Sequence, residues 1–275
     1  MIERLRRAGL ATLTLLAASA SPAEPPASDD AGNQFLPFAA LSPISPEDEE
    51  RFSPGHCDAA RSFCIQARRE GESGPWALLL HNGRPATPDA EPARRIPLPP
   101  GEDPDRESFA IWPHLIRETN GALLIGVERR RTAGFSGGGA GATQLLLFRL
   151  AAPDAEAVEV LNVQTRYSAM IRACFSEEDY RSRGACHDEY ELDGALVLAP
   201  EAGNGRPRLV LTTAARSFPR GARGADSDNR RYRRADLVWE ADPACSYRRL
   251  FTADPATGRY APDSPLPDCS IYALP

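Results

Sequence analysis

Nowhere in this chain does an apolar repeat of 3.6 residues hold for three turns, which excludes a fold built from packed amphipathic helices. What recurs instead is a short apolar or alternating run bounded by Gly, Pro, Asn or Asp, the pattern of strands separated by turns. Phe63 to Ala67 and Trp76 to Leu80 form one such pair, joined by Gly71-Glu72-Ser73-Gly74-Pro75. Ala122 to Val127 follows the turn Thr119-Asn120-Gly121, and Gln144 to Leu150 follows a glycine-rich loop. Further runs are Val158–Val163, Ala195–Leu198, Leu209–Thr213, Leu237–Glu240 and Tyr247–Phe251. Helical candidates are brief, such as Glu177 to Arg181. About a dozen short strands at intervals of 15–20 residues predict an antiparallel all-β fold, either propeller-like or a large sandwich. The successive runs Gly194–Leu198 and Pro207–Leu211 favour the propeller, although no strict repeat is visible.

The six cysteines fall into three sequence-local pairs: Cys57 with Cys64, Cys174 with Cys186, and Cys245 with Cys269. Disulfides are expected in these pairs, each contributing about 2.5–3.5 kcal/mol in the chain-entropy model. The last pair brackets a hairpin, with Ser246–Thr252 as a strand, Asp254-Pro255-Ala256-Thr257-Gly258 as the turn and Arg259-Tyr260 as the start of the return. The competing use of Cys174, Cys186 and His187 as metal ligands lacks the C-x-x-C spacing of structural zinc sites, so no metal and no cofactor is expected.

Disulfides imply an oxidising compartment, and the N-terminus supplies a route to one. Residues 1–20 read as a secretory signal peptide: a positive start with Arg4, Arg6 and Arg7, an apolar run from Ala8 to Ala18, and small residues in Ala18-Ser19-Ala20. The expected location is periplasmic or secreted. The apolar run is too short to span a bilayer, which takes about 20 residues, so no membrane anchor is expected. Residues 21–52, rich in Pro, Ser, Ala and acidic side chains, read as a mobile leader, within which Phe35-Leu36-Pro37-Phe38 is an apolar segment able to dock. Residues 53–275 are then one β-rich domain.

The whole chain carries a formal charge of −6, and the signal removes a net +2, leaving about −8. That balance argues against nucleic acid as a partner. No lysine occurs; every basic side chain other than histidine is arginine, a bias read as genomic.

Three groups of residues could carry chemistry. Gly134-Phe135-Ser136-Gly137-Gly138 matches G-x-S-x-G, the nucleophile elbow of α/β-hydrolases. A secreted serine hydrolase using Ser136 with His187 is therefore the alternative function. The elbow needs a buried strand before the serine, and Glu128-Arg129-Arg130-Arg131-Thr132-Ala133 is unsuited to that. A hairpin loop with glycine at positive φ is the preferred reading. An acidic group, Glu177, Glu178, Asp179, Asp188, Glu189, Glu191 and Asp193, surrounds the middle cysteines without the spacing of a calcium loop, and Asp226-Ser227-Asp228-Asn229 is a second, also incomplete, group of oxygen ligands. It reads as a solvated face.

Arginines then crowd the next segment: Arg216, Arg220, Arg223, and Arg230, Arg231, Arg233 and Arg234 around Tyr232. Guanidinium forks suit phosphate or carboxylate, so the last four are the first choice for ligand binding. Trp76, Trp112 and Trp239 read as core, and His81 and His114 as structural groups. The function expected from these residues is a non-catalytic exported β-rich protein that binds an envelope protein or an anionic ligand.

Overall fold

The structure is a computed structural model that describes residues 27–41, 52–71, 74–85, 87, 90–101, 103–152, 155–172, 174–223 and 230–274. The signal segment, part of the leader and Asp226-Ser227-Asp228-Asn229 lie outside them. In chain order the elements are β1 (Gln34–Pro37), β2 (Ala39–Ala40), β3 (His56–Cys57), β4 (Phe63–Arg69), β5 (Trp76–Asn82), β6 (Arg94–Pro97), β7 (Glu107–Arg117), β8 (Leu123–Phe135), β9 (Gly138–Leu150), β10 (Ala157–Ile171), the helix α1 (Glu177–Arg183), β11 (Asp188–Leu198), β12 (Leu209–Phe218), β13 (Glu240–Ala241), β14 (Arg248–Ala253) and β15 (Tyr260–Pro262).

These strands form two antiparallel sheets. The larger has ten strands in the order β1-β7-β8-β9-β10-β11-β12-β14-β15, with β13 also on β12; the smaller runs β2-β3-β4-β5-β6. The fold is all-β and antiparallel, as the turn-bounded runs predict, but it is neither a closed barrel nor a propeller. Gly194–Leu198 and Leu209–Thr213 are indeed neighbours, Leu198 opposite Leu209, yet they belong to a sheet far wider than a four-stranded blade.

The run Leu145-Leu146-Leu147-Phe148 shows how the core is arranged. Leu146 and Phe148 enter a cluster with Ile65, Leu78 and Leu80 of the small sheet and with Ile111, Ile125 and Val127 of the large one. Leu145 and Leu147 point the other way, into a cluster with Leu124, Val163, Leu196, Leu211, Phe251 and Tyr260, all from the large sheet. A strand buried on both faces reads as a continuous apolar run, and each such side chain contributes about 1.5–3 kcal/mol by leaving water. The second cluster unites strands that are far apart in the sheet order, so the large sheet folds over onto itself. A third cluster, with Tyr167, Tyr190, Leu192 and Ala215, is covered by Tyr272 of the C-terminal segment.

The cysteines pair as their spacing predicts. Cys57–Cys64, Cys174–Cys186 and Cys245–Cys269 are all bridged, over separations of 7, 12 and 24 residues. Three disulfides suit a non-reducing, extracellular setting. No helix among the described residues is long and apolar enough to cross a membrane. The C-terminal bridge brackets β14 and β15, which meet at Ala253 opposite Tyr260. Asp254 shapes that turn by accepting the amides of Ala256 and Thr257 at 3.0 and 2.7 Å.

Three features differ from the sequence reading. Part of the segment read as a mobile leader is structural: β1 pairs with β7, Phe35 opposite Ile116, and both Phe35 and Phe38 are buried. The glycine-rich stretch after Gly137 is not a loop but the start of β9. Gly138 lies so close to β10 that a Cβ would fall 1.9 Å from the Met170 carbonyl oxygen, so only glycine fits this strand there. Leu237–Glu240 is mostly not a strand; a single 3-10 turn, Arg234–Asp236, precedes the two-residue β13.

Candidate interaction surface

The sequence-selected residues gather at one end of the large sheet, around the loop closed by Cys174–Cys186. Its helix α1 begins where Ser176 accepts the Asp179 amide at 3.1 Å and ends at Gly184, which has φ 81°. Both ends follow from residue type: serine supplies the missing acceptor, and glycine takes the left-handed turn. Gly184 has a second constraint, because a Cβ there would lie 2.2 Å from the Tyr232 carbonyl oxygen. Glycine thus lets the arginine segment approach. Tyr232 is buried, donates its amide to the Arg183 carbonyl at 2.7 Å, and lies under the Arg183 and Arg230 guanidinium groups at 5.1 and 5.3 Å.

Asp188 locks the loop from beneath. It is fully buried and bonds both Arg172 and Arg183. A buried carboxylate needs such partners, because an unpaired charge there costs several kcal/mol.

The acidic group is therefore not a free anionic face. Glu177 pairs with Arg181 at 2.6 Å, Asp179 accepts the Phe175 amide at 3.0 Å, and His187 bonds Glu189 at 2.7 Å. Glu191 bonds Arg216, and Asp193 lies 3.3 Å from Arg166. Its members are dispersed over a helix and a strand, each but Glu178 with a partner among the described residues. The arginines give the opposite result. Arg231, Arg233 and Arg234 are exposed, and their guanidinium groups have no carboxylate partner among the described residues. Arg230 donates to the Gly221 carbonyl at 3.3 Å.

Aromatic residues that sequence reasoning missed stand beside them. Trp239, read as core, is 37 % exposed, with the Arg216 guanidinium 4.5 Å above its ring and Phe218 5.8 Å away. Seven large hydrophobic side chains are exposed among the described residues, and five of them belong here: Met170, Phe175, Tyr180, Val238 and Trp239. The register connects them, since Met170 lies opposite Glu189 and Glu189 opposite Phe218. The only sequence signal for this was the position of Trp239 in a short, charged stretch.

The G-x-S-x-G motif occupies a different local structure from the hydrolase elbow. Phe135 pairs with Gly138, so Ser136 and Gly137 are the two-residue turn of the β8–β9 hairpin, with Gly137 at φ 84° and Ser136 exposed. Strand follows the serine, where the elbow requires a helix. His187 bonds Glu189 and leads into β11, which β10 separates from β9. A fluorophosphonate probe is expected to leave Ser136 unlabelled, and labelling abolished by Ser136→Ala would reverse that reading.

A larger hollow of about 540 Å³ lies at the opposite end, lined by Phe63, Leu80, Leu123 and Leu150, with Arg94 as its one titratable side chain. Ser62 and Asn82 complete its polar lining among the described residues.

No family model, curated protein or solved structure matches this chain.

Proposed function

We propose that this chain is an exported, non-catalytic binding protein of a large-sandwich architecture, and that its recognition surface is the end carrying Trp239 and Arg230, Arg231, Arg233 and Arg234. The partner is an acidic protein surface with an apolar centre. One observation carries this reading: exposed aromatic and apolar side chains are concentrated beside arginines that have no carboxylate partner among the described residues. Trp, Tyr and Arg are the side chains most enriched at binding hot spots, and a patch of this kind on an otherwise polar surface marks an interaction site. The disulfide and the buried Asp188 hold the loop rigid, which reduces the entropy lost on association.

The test is a pull-down from periplasmic extract with the protein and its Arg230→Ala, Arg231→Ala, Arg233→Ala, Arg234→Ala variant. Affinity for the recovered partner is expected to fall by more than tenfold in the variant and to weaken as salt is raised. Trp239→Ala is expected to cost about 2 kcal/mol, as hot-spot residues do. A partner list unchanged by both variants removes this surface from the argument.

A further inference from the structure

On the inner face of the small sheet, residues paired across strands form rows. Ala67, Leu78 and Ile96 make one row, Ile65, Leu80 and Arg94 the next, and Phe63 and Asn82 the last. The first row lies wholly in the core cluster shared with the large sheet, as do Ile65 and Leu80. Arg94 and Asn82 therefore hold positions that strand alternation, with its period of two, assigns to the core. Polar residues at such positions break the apolar pattern, and breaks of this kind gather at functional sites.

Across from these rows, the inner side of the large sheet ends in Leu123 and Leu150, which pair with each other. The two sheets do not close on one another here. Between them lies the hollow of about 540 Å³, walled by Phe63, Leu80, Leu123 and Leu150. Leu80 and Leu150 are buried, whereas Phe63 and Leu123 are half-buried against the same cluster. Arg94 is half-buried, and Asn82 and Ser62 are exposed. The hollow is thus apolar in its depth and polar at its mouth. The Ser62 hydroxyl donates to Asp58 at 2.8 Å, which leaves the Asn82 amide and the Arg94 guanidinium as the donors there. No carboxylate lines the hollow among the described residues. Its volume falls within the range of about 300–1,000 Å³ for small-ligand sites, whose walls are mostly apolar with a few polar groups that fix orientation.

We infer that this hollow binds a small amphipathic carboxylate, its apolar chain lying among Phe63, Leu80, Leu123 and Leu150 and its carboxylate at Arg94 and Asn82. Two complementarities argue for that class. The uncharged walls take an alkyl chain out of water, and the guanidinium fork matches a carboxylate in two-point geometry. A cation would meet no counter-charge in the lining. The site lies at the other end of the large sheet from Trp239 and does not rest on the arginine surface, so replacing Arg230, Arg231, Arg233 and Arg234 leaves it unchanged.

The probes are straight-chain carboxylates from hexanoate to decanoate, added to the full chain and followed by calorimetry and by NMR of leucine methyl groups. Saturable binding is expected, about fourfold tighter with each added methylene until the hollow is full, with a negative heat-capacity change. The methyl resonances of Leu80, Leu123 and Leu150 are expected to shift with occupancy. Octanol, which has the same chain and no charge, is expected to bind about tenfold or more weakly than octanoate, the worth of a charge-assisted hydrogen bond. Arg94→Gln is expected to erase that difference by weakening octanoate alone; its retained affinity for octanol shows that the variant is folded. Octanol binding the unaltered protein as tightly as octanoate, affinity independent of chain length, or methyl shifts confined to other leucines would each overturn the inference. So would octyltrimethylammonium binding as tightly as octanoate, or an Arg94→Gln variant that binds octanoate as before.

Discussion

Replacing Glu118 by alanine is expected to lower the free energy of unfolding by about 3–5 kcal/mol, the cost of leaving a buried charge without its partner. The Glu118 side chain is 1 % exposed and accepts a two-point bond from Arg149, Nε at 2.7 Å and Nη2 at 2.6 Å. Arg206 approaches the same carboxylate at 3.9 Å. The pair joins the turn after β7 to β9 and to the turn between β11 and β12. Burial alone raises the Glu118 carboxyl, but the hydrogen bonds and charge of Arg149, with the charge of Arg206, outweigh it and hold the group below its ordinary value. A depressed carboxylate stabilises the fold fully above the unfolded value, about 4.3, and that stabilisation is lost as pH falls through the folded one. Urea denaturation of the two proteins should therefore diverge most near pH 7 and converge in acid. A difference independent of pH would mean that packing, not charge, accounts for the loss.

The second large effect is expected at the C-terminus. Changing Cys245 and Cys269 to serine should cost about 3.5 kcal/mol from the loop entropy of a 24-residue separation. The bridge also holds the segment that covers the third cluster. Tyr272 donates to Asp242 at 3.2 Å, and its carbonyl accepts from Gln164 at 2.6 Å. Releasing it should expose Tyr167 and Tyr190, seen as a change in tyrosine emission before global unfolding. The corresponding change at Cys57 and Cys64 closes only 7 residues and should cost less. The reverse ranking in urea melts would contradict this account.

The apolar halves of the strands were legible and the polar halves were not. Leu145–Leu150 and Leu209–Thr213 announce themselves because both faces, or one face in strict alternation, are buried. β8 continues through Glu128-Arg129-Arg130-Arg131, which reads as loop or surface. Arg129 is nevertheless buried, its guanidinium 5.7 Å from the Phe109 ring and bonded to the Pro99 carbonyl at 2.6 Å. Long arginine stems cover apolar surface in a way that composition conceals. β7 was hidden by Pro113, which sits in a register shift between Ile111 and Leu115 and gives its carbonyl to the Phe38 amide. The disulfides were legible because each pair is local in sequence. Of the candidate surface, the arginines were visible by type, whereas the exposure of Trp239 and the burial of Asp188 follow from packing.

The N-terminal strand carries a further consequence, for the order in which the molecule assembles. Residues beside β1 bond to the turn between β11 and β12: the Asp30 amide to the Pro200 carbonyl at 2.9 Å, the Ala202 amide to Asp30 at 2.7 Å, and Asn33 to Gly205 at 3.4 Å. The last two pairs lie 172 residues apart. Contacts of such range make folding slow, because a large loop must close before they are rewarded. A chain emerging from the ribosome at about 5–20 residues per second would hold this strand unfinished for roughly ten to thirty seconds. The first strand made is thus among the last to be completed, and the molecule has reason to remain unfolded until nearly all of it is present.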